Sequence, residues 1–162
     1  MPQRYYFYMT SFLISSDIYR NTHYGGKHPL NIPRVGATLD LIKAMSWYDE
    51  AKFITAPIAK PSLLKKFHSN DYVNVLIEAD EKQEIDKNQS NKYNLGTPSN
   101  PIFKGMYKRP ATSVGGSVVA AEFAFLHGRA FNLGGGLHHG LANKANGFCY
   151  FCLLYTSDAA DE

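Results

Sequence analysis

The sequence predicts an α/β domain organised around a mainly parallel sheet. Short apolar runs of strand length alternate with stretches whose apolar positions recur at three- and four-residue steps, and glycine, proline and asparagine cluster between them. At 162 residues, 44% hydrophobic and 14% aromatic, the chain is long enough for one domain with a sizeable core. Neither an internal repeat nor a low-complexity tract interrupts the pattern.

Ser11-Phe12-Leu13-Ile14-Ser15 reads as a buried first strand. Arg4 and the tyrosines around it break residues 1–16 before any stretch long enough to span a bilayer, and no small-residue cleavage pattern follows. Residues 21–33, rich in glycine, proline, histidine and asparagine, form a loop, and loops of parallel α/β domains carry function. From Val35, the spacing of Leu39, Ile42, Met45 and Tyr48 predicts a helix with one buried face. Phe53-Ile54-Thr55 then makes a short strand.

Residues 62–67 read as a short helix. Ser69 or Asn70 caps a second one carrying Tyr72, Val73, Leu76 and Ile77 inward. Residues 78–94 are polar and are expected to be an exposed helix end and loop, and 94–101 hold turn formers throughout. A helix over about 112–127 places Val114, Val118, Ala121 and Phe125 on one stripe, with Gly115, Gly116, Ala120 and Ala124 allowing close approach to a sheet. Residues 130–133 enter the interior as a strand that ends at Gly134-Gly135-Gly136.

That strand delivers Leu137-His138-His139-Gly140, two adjacent imidazoles on a glycine-rich turn. Functional groups of parallel sheets gather beyond the carboxyl ends of strands. Histidine titrates near neutral pH, so one ring can accept a proton from attacking water while its neighbour holds charge or protonates a leaving group. Taken alone, tandem histidines in a loop are more readily read as surface polar residues.

The composition narrows the remaining classes. A net charge of +3 with scattered lysines and arginines is a solvated surface, which argues against nucleic-acid binding by a basic patch. Cys149 and Cys152 have Cys-x-x-Cys spacing, but no second pair and no thioredoxin-like surroundings support a redox or zinc role. A reduced, cytoplasmic protein is expected. Gly134-Gly135-Gly136 offers a second reading as a phosphate- or nucleotide-binding loop. The spacing opposes it, because G-x-G-x-x-G from Gly134 requires glycine where His139 stands and no Gly-Lys-Ser/Thr follows.

Several blocks surround the histidine pair in a set order. They are Tyr24-Gly25-Gly26-Lys27-His28-Pro29, Pro33-Arg34, Phe67-His68-Ser69-Asn70-Asp71-Tyr72-Val73, the run Phe131 through Gly140, and Asn146-Gly147-Phe148-Cys149-Tyr150-Phe151. Together they resemble the histone deacetylase family, and more narrowly its bacterial branch of acetoin-utilisation deacetylases, close to the acetylpolyamine amidohydrolases. The resemblance runs from about residue 12 to 151 and implies the N-terminal part of an arginase/deacetylase-like three-layer fold, truncated. It also implies a partial domain over 1–151. Residues 152–162, CLLYTSDAADE, resemble the translation of a sequencing adapter and are expected to be a non-native tail.

By the same resemblance the parent protein is a zinc-dependent amide hydrolase, or one using another divalent metal. Its substrate would be an acetylated lysine or a related acetylated small amine. Amide hydrolysis by neutral water is hard. A metal lowers the pKa of bound water from about 15.7 to about 7, roughly 12 kcal/mol, whereas acid–base catalysis alone supplies about 10²–10⁴-fold. His139 matches the principal general base and His138 its electrostatic partner. Gly147 and Phe148 match the acyl-lysine tunnel, whose apolar walls disfavour a charged free lysine. Arg34 matches a buried arginine of the inner cavity, and Cys149 a cysteine at the inner end of the tunnel or a packing residue. Tyr24, His28 and Pro29 shape the rim, and His68 is expected to be a packed or capping residue.

The family's zinc ligands, two aspartates and a histidine, and its intermediate-stabilising tyrosine have no counterpart here, since the sequence contains no Asp-x-His. Where relatives carry a rim aspartate, this chain offers Ser99. The 162-residue chain is therefore expected to bind no zinc and to act as a non-catalytic partial domain. Oligomeric state is not legible.

Overall fold

The computed structural model describes residues 10–25 and 28–153. Three strands, β1 (Thr10–Ser15), β2 (Phe53–Thr55) and β3 (Gly128–Asn132), form a parallel sheet in the order β2-β1-β3. Leu13 lies opposite Phe53 on one side and Phe131 on the other, and Ile14 lies opposite Ile54 and Asn132. Parallel neighbours need long crossovers. The helices α1 (Ile18–Asn21), α2 (Arg34–Ala44), α3 (Pro61–Leu64), α4 (Asn70–Lys82), α5 (Lys87–Tyr93) and α6 (Lys108–His127) supply them. The expected α/β class with a parallel sheet is what the chain adopts. Of the expected tail, residues 154–162 lie outside the described residues.

Helix α4 shows how closely local sequence can set an element. Ser69 Oγ accepts from the backbone N–H of Tyr72 at 3.4 Å, satisfying a donor that the first turn leaves open, and Gln83 ends the helix in the left-handed region at φ 56°. Tyr72, Val73, Leu76 and Ala79 form the buried face, with Ile77 half-buried beside it.

Elsewhere the pattern misleads. Helix α2 buries Gly36 and Leu39, but it stops at Ala44 because Ser46 turns left-handed at φ 55°, and Met45 is left 51% exposed. Of the polar stretch 78–94, residues 78–82 end α4 as expected, but residues 87–93 form a further helix in place of the expected loop. Asp86 Oδ1 accepts from the N–H groups of Asn88 and Gln89 at 2.8 and 3.0 Å and starts α5, whose last residue, Tyr93, is buried against Tyr72.

Helix α6 begins four residues before the expected start. Asp80 accepts from Gly105 N at 2.6 Å and Tyr107 N at 3.2 Å ahead of its first turn, where Pro110 costs no intrahelical bond. The expected stripe is not seen. Residues 110–116 are buried all round, while Ala121 and Phe125 face solvent, Phe125 at 90%. The first half of α6 is sandwiched between the sheet and the helical core, whereas the second half runs clear of that core. β3 likewise does not enter the interior as expected. It is an outer strand of the described sheet, with Phe131 62% exposed.

The main core lies on the helical side. Leu64, Tyr72, Val73, Leu76, Leu95, Met106, Val114, Tyr150 and Phe151 are each fully buried within one cluster. Burying one such large side chain contributes about 1.5–3 kcal/mol. Tyr72 and Tyr150 place their hydroxyls on backbone carbonyls, those of Tyr150 and Pro101, so neither ring carries an unpaired polar tip inward. Through these bonds residues 149–151 become part of the core.

Candidate functional site

The turn after β3 is held from three sides. Leu133 N donates to Ile14 O at 3.0 Å, continuing the sheet by one bond. Asn132 donates from Nδ2 to Ser113 O and Ser117 Oγ at 3.1 and 3.0 Å, tying the turn to α6. A Cβ on Gly134 would stand 2.1 Å from the hydroxyl of buried Tyr19, so only glycine fits there. Gly134 N and Gly135 N each donate to Asn132 at 3.1 Å, to its side-chain and its backbone oxygen respectively. Two amides of the glycine run are thereby consumed within the turn, which opposes the anion-cradle reading.

His138 and His139 follow at the carboxyl end of the strand. Both are exposed, with ring centroids 4.1 Å apart and planes inclined at 38°. His138 Nδ1 lies 3.0 Å from Gly136 O, and because a carbonyl only accepts, Nδ1 carries the proton and Nε2 of the neutral ring keeps its lone pair. Gly147 packs directly against His139, where an added Cβ would meet the ring Cγ at 2.9 Å. Gly147 and Phe148 both adopt positive φ, at 53° and 69°. This left-handed step swings the Phe148 ring to the His28 side.

There it meets His28 edge-on at 4.9 Å, and His28 stacks on Tyr24 at 4.6 Å. His28 accepts from Leu30 N at Nδ1, so Nε2 is the donor to Ser99 O at 3.1 Å. His28, Phe148 and exposed Ser99 thus form one connected rim. Cys149 lies beneath the histidine turn, buried, with its thiol pKa raised by burial while the backbone of residues 138–140 pulls in the opposite direction.

Arg34 occupies a different place. It lines a cavity of about 310 Å³ behind the turn, whose walls include Tyr24, Gly134 and Leu137. Contrary to the expected buried arginine, it is exposed, because it is the first residue of α2 at the open mouth of that cavity. Cys149 is not among its walls. A second guanidinium lines it instead. Arg109 donates to Tyr19 O, Thr22 O and Thr22 Oγ1 at 2.9–3.1 Å and lies over the rings of Tyr19 and Tyr24. Nothing in the local sequence around Arg109 marks it for this position.

His68 is 2% exposed and joins the two halves of the site. Its Nδ1 lies 3.0 Å from Leu141 O, and its Nε2 accepts from Cys152 N at 3.1 Å. Burial pushes its pKa down to about 4, against the opposing pull of the Leu141 and Ala142 backbone. The expected packed residue is therefore a neutral imidazole with a defined tautomer. Between about pH 6.5 and 4 the unfolded chain binds a proton at His68 and the folded chain does not, so stability is lost as pH falls through that window. The loss should reach roughly 3 kcal/mol. Urea denaturation at pH 7 and pH 4.5 should show this, with the difference shrinking in His68→Leu; an undiminished difference in that variant would place the acid sensitivity elsewhere.

Among the described residues no group of three His, Cys, Asp or Glu side chains is placed to hold a metal ion. Also among the described residues, no helix is long and apolar enough to cross a membrane.

The model of the histone deacetylase domain matches residues 28–154. The acetoin utilization protein AcuC of Bacillus subtilis (strain 168) is 34% identical over 145 residues, covering 87% of this chain and 37% of AcuC. Histone deacetylase HDAC1 of Drosophila melanogaster is 36% identical over 136 residues, covering 80% of this chain and 25% of that protein. The crystal structure of an HDAC homolog from Aquifex aeolicus superposes with a TM-score of 0.88 at 37% identity, over 93% of this chain and 41% of that one. An HDAC homolog complexed with SAHA matches with the same scores. The chain thus spans about a quarter to two-fifths of the length of these relatives.

Proposed function

Because the chain belongs to the histone deacetylase family, we propose that the full-length protein is a deacetylase hydrolysing the amide of an acetylated lysine or a related acetylated small amine. The observation that carries this reading is the packing of Gly147 against His139, with Phe148 beside it, at the carboxyl end of a parallel strand. In this reading the exposed base and the aromatic ring that would receive the acyl chain belong to one constellation.

In this reading His139 takes the proton of the attacking water and returns it to the leaving amine. His138, its Nδ1 proton engaged by Gly136 O, offers the Nε2 lone pair and supports positive charge beside His139 at 4.1 Å. Phe148 and Gly147 receive the uncharged acyl chain, and Ser99 borders the entrance through its carbonyl bond to His28. We assign Arg34 to the cavity behind the histidine turn and Cys149 to packing beneath it.

We further propose that the full-length enzyme depends on zinc or another divalent metal and works in the reducing cytoplasm. The described residues do not fit a metal site, so no step here passes through one.

Acetate release from an acetyl-lysine peptide and from an acetylated diamine, measured on the full-length protein before and after chelation, tests this reading. Hydrolysis of at least one substrate, lost on chelation and restored by zinc, is expected. A folded, zinc-supplied protein that releases acetate from neither would overturn it.

A further inference from the structure

We propose that His68 is the positioning residue of the site, holding the histidine turn and the 147–152 block in fixed relation through one imidazole. The inference rests on the deacetylase reading, since it assigns His68 a role in placing His139. Three observations converge on it. First, His68 bonds both segments, donating from Nδ1 to Leu141 O, two residues past His139, and accepting at Nε2 from Cys152 N, three residues past Cys149. Second, the neighbouring Ser69 N donates to Ala142 O at 2.8 Å, so the start of α4 anchors the end of the turn at two adjacent points. Third, the ring is wedged among Phe67, Tyr72 and Phe151, with centroids 4.8, 5.8 and 5.1 Å away. An imidazole so packed cannot rotate to release one partner without losing the other.

The bond to residue 152 uses its backbone N–H, so it is available to any residue other than proline at that position. Protonation of His68 would place a second N–H against the N–H of Cys152, and the depressed pKa keeps the bridging tautomer in place above mildly acidic pH. The arrangement matters because His139 and Phe148 belong to different loops. Displacing one by about 1 Å from the other can cost a reaction about 100-fold even when every reacting group is present.

The test uses the full-length enzyme with His68→Leu, which removes both bonds, and His68→Asn, which retains an amide donor near the Nδ1 position and loses the acceptor. With metal content and KM within about twofold of wild type, kcat should fall about 100-fold in His68→Leu and about tenfold in His68→Asn. The imidazole ¹⁵N resonances of His139 should shift in both variants. A folded His68→Leu enzyme with kcat within twofold of wild type overturns the proposal, as does a loss that only tracks the folded fraction. If His68→Leu does not fold, His68→Asn decides by the same criterion. A wild-type protein inert toward every acylated amine removes the deacetylase reading and the positioning role together, whereas an active wild type with an unaffected variant removes the positioning role alone.

Discussion

Replacing His139 with alanine in the full-length enzyme should lower turnover by about 10²–10⁴-fold while leaving its metal content intact. The ring is exposed, at the end of a turn whose backbone is anchored by Asn132, Leu133 and Leu141, so its removal should not unfold the loop. No metal-ligand role is assigned to it, which separates this variant from one that empties a metal site. His138→Ala should be milder, because the lost ring would only support charge beside the base. Metal analysis together with steady-state kinetics would decide. Equal activity of His139→Ala and wild type would end the assignment of His139 as the proton carrier, and a proportional loss of metal would show that the ring acts through the metal site instead.

Gly115→Ala should destabilise the protein by about 3 kcal/mol, the upper end of the overpacking range. The effect opposes helix propensity, which favours alanine over glycine by about 1 kcal/mol in a helix interior. Sterics win because the new Cβ would stand 2.1 Å from Pro57 O and 3.0 Å from Pro57 C, atoms of the backbone that leads away from β2. Those atoms cannot yield as a side chain could. The segment is tied on both sides, with Ala56 N bonded to Ser15 O at 2.8 Å and Ala59 N to Ala111 O at 3.0 Å. Urea denaturation should show the shift in midpoint, corresponding to about 6–12 °C in thermal melting for a chain of this size. A neutral or stabilising result would mean that α6 moves off the 56–59 segment at little cost.

Much of this was legible locally. The Ser69 cap, the apolar spacing of α4, the apolar runs over Ser11–Ser15 and Phe53–Thr55, and the small residues of α6 are all visible as local patterns, although what they pack against is distant. The missed features depend on distance. Helix α5 hides in a polar stretch because its stability comes from the Asp86 cap and from Tyr93 docking on Tyr72, not from an apolar stripe. Phe125 and Phe131 carry the periodicity of buried residues, yet their exposure depends on what packs against them. Arg109 reaches its place by bonds to residues 87 and 90 positions away.

The histidines divide the two kinds of information most clearly. The amino-acid sequence by itself determined the alternation of strands and helices, the adjacency of His138 and His139 after a glycine turn, and the family to which these blocks belong. Such features are set by spacing along the chain and by the conformations that Gly, Pro, Ser and Asp allow. Only the tertiary structure decided that His68 is a buried, neutral histidine while His138 and His139 face solvent, and that one imidazole joins residues 73 and 84 positions away. The protonation state and tautomer of a histidine follow from desolvation and from the partners at its two nitrogens, and folding brings those partners from distant parts of the chain.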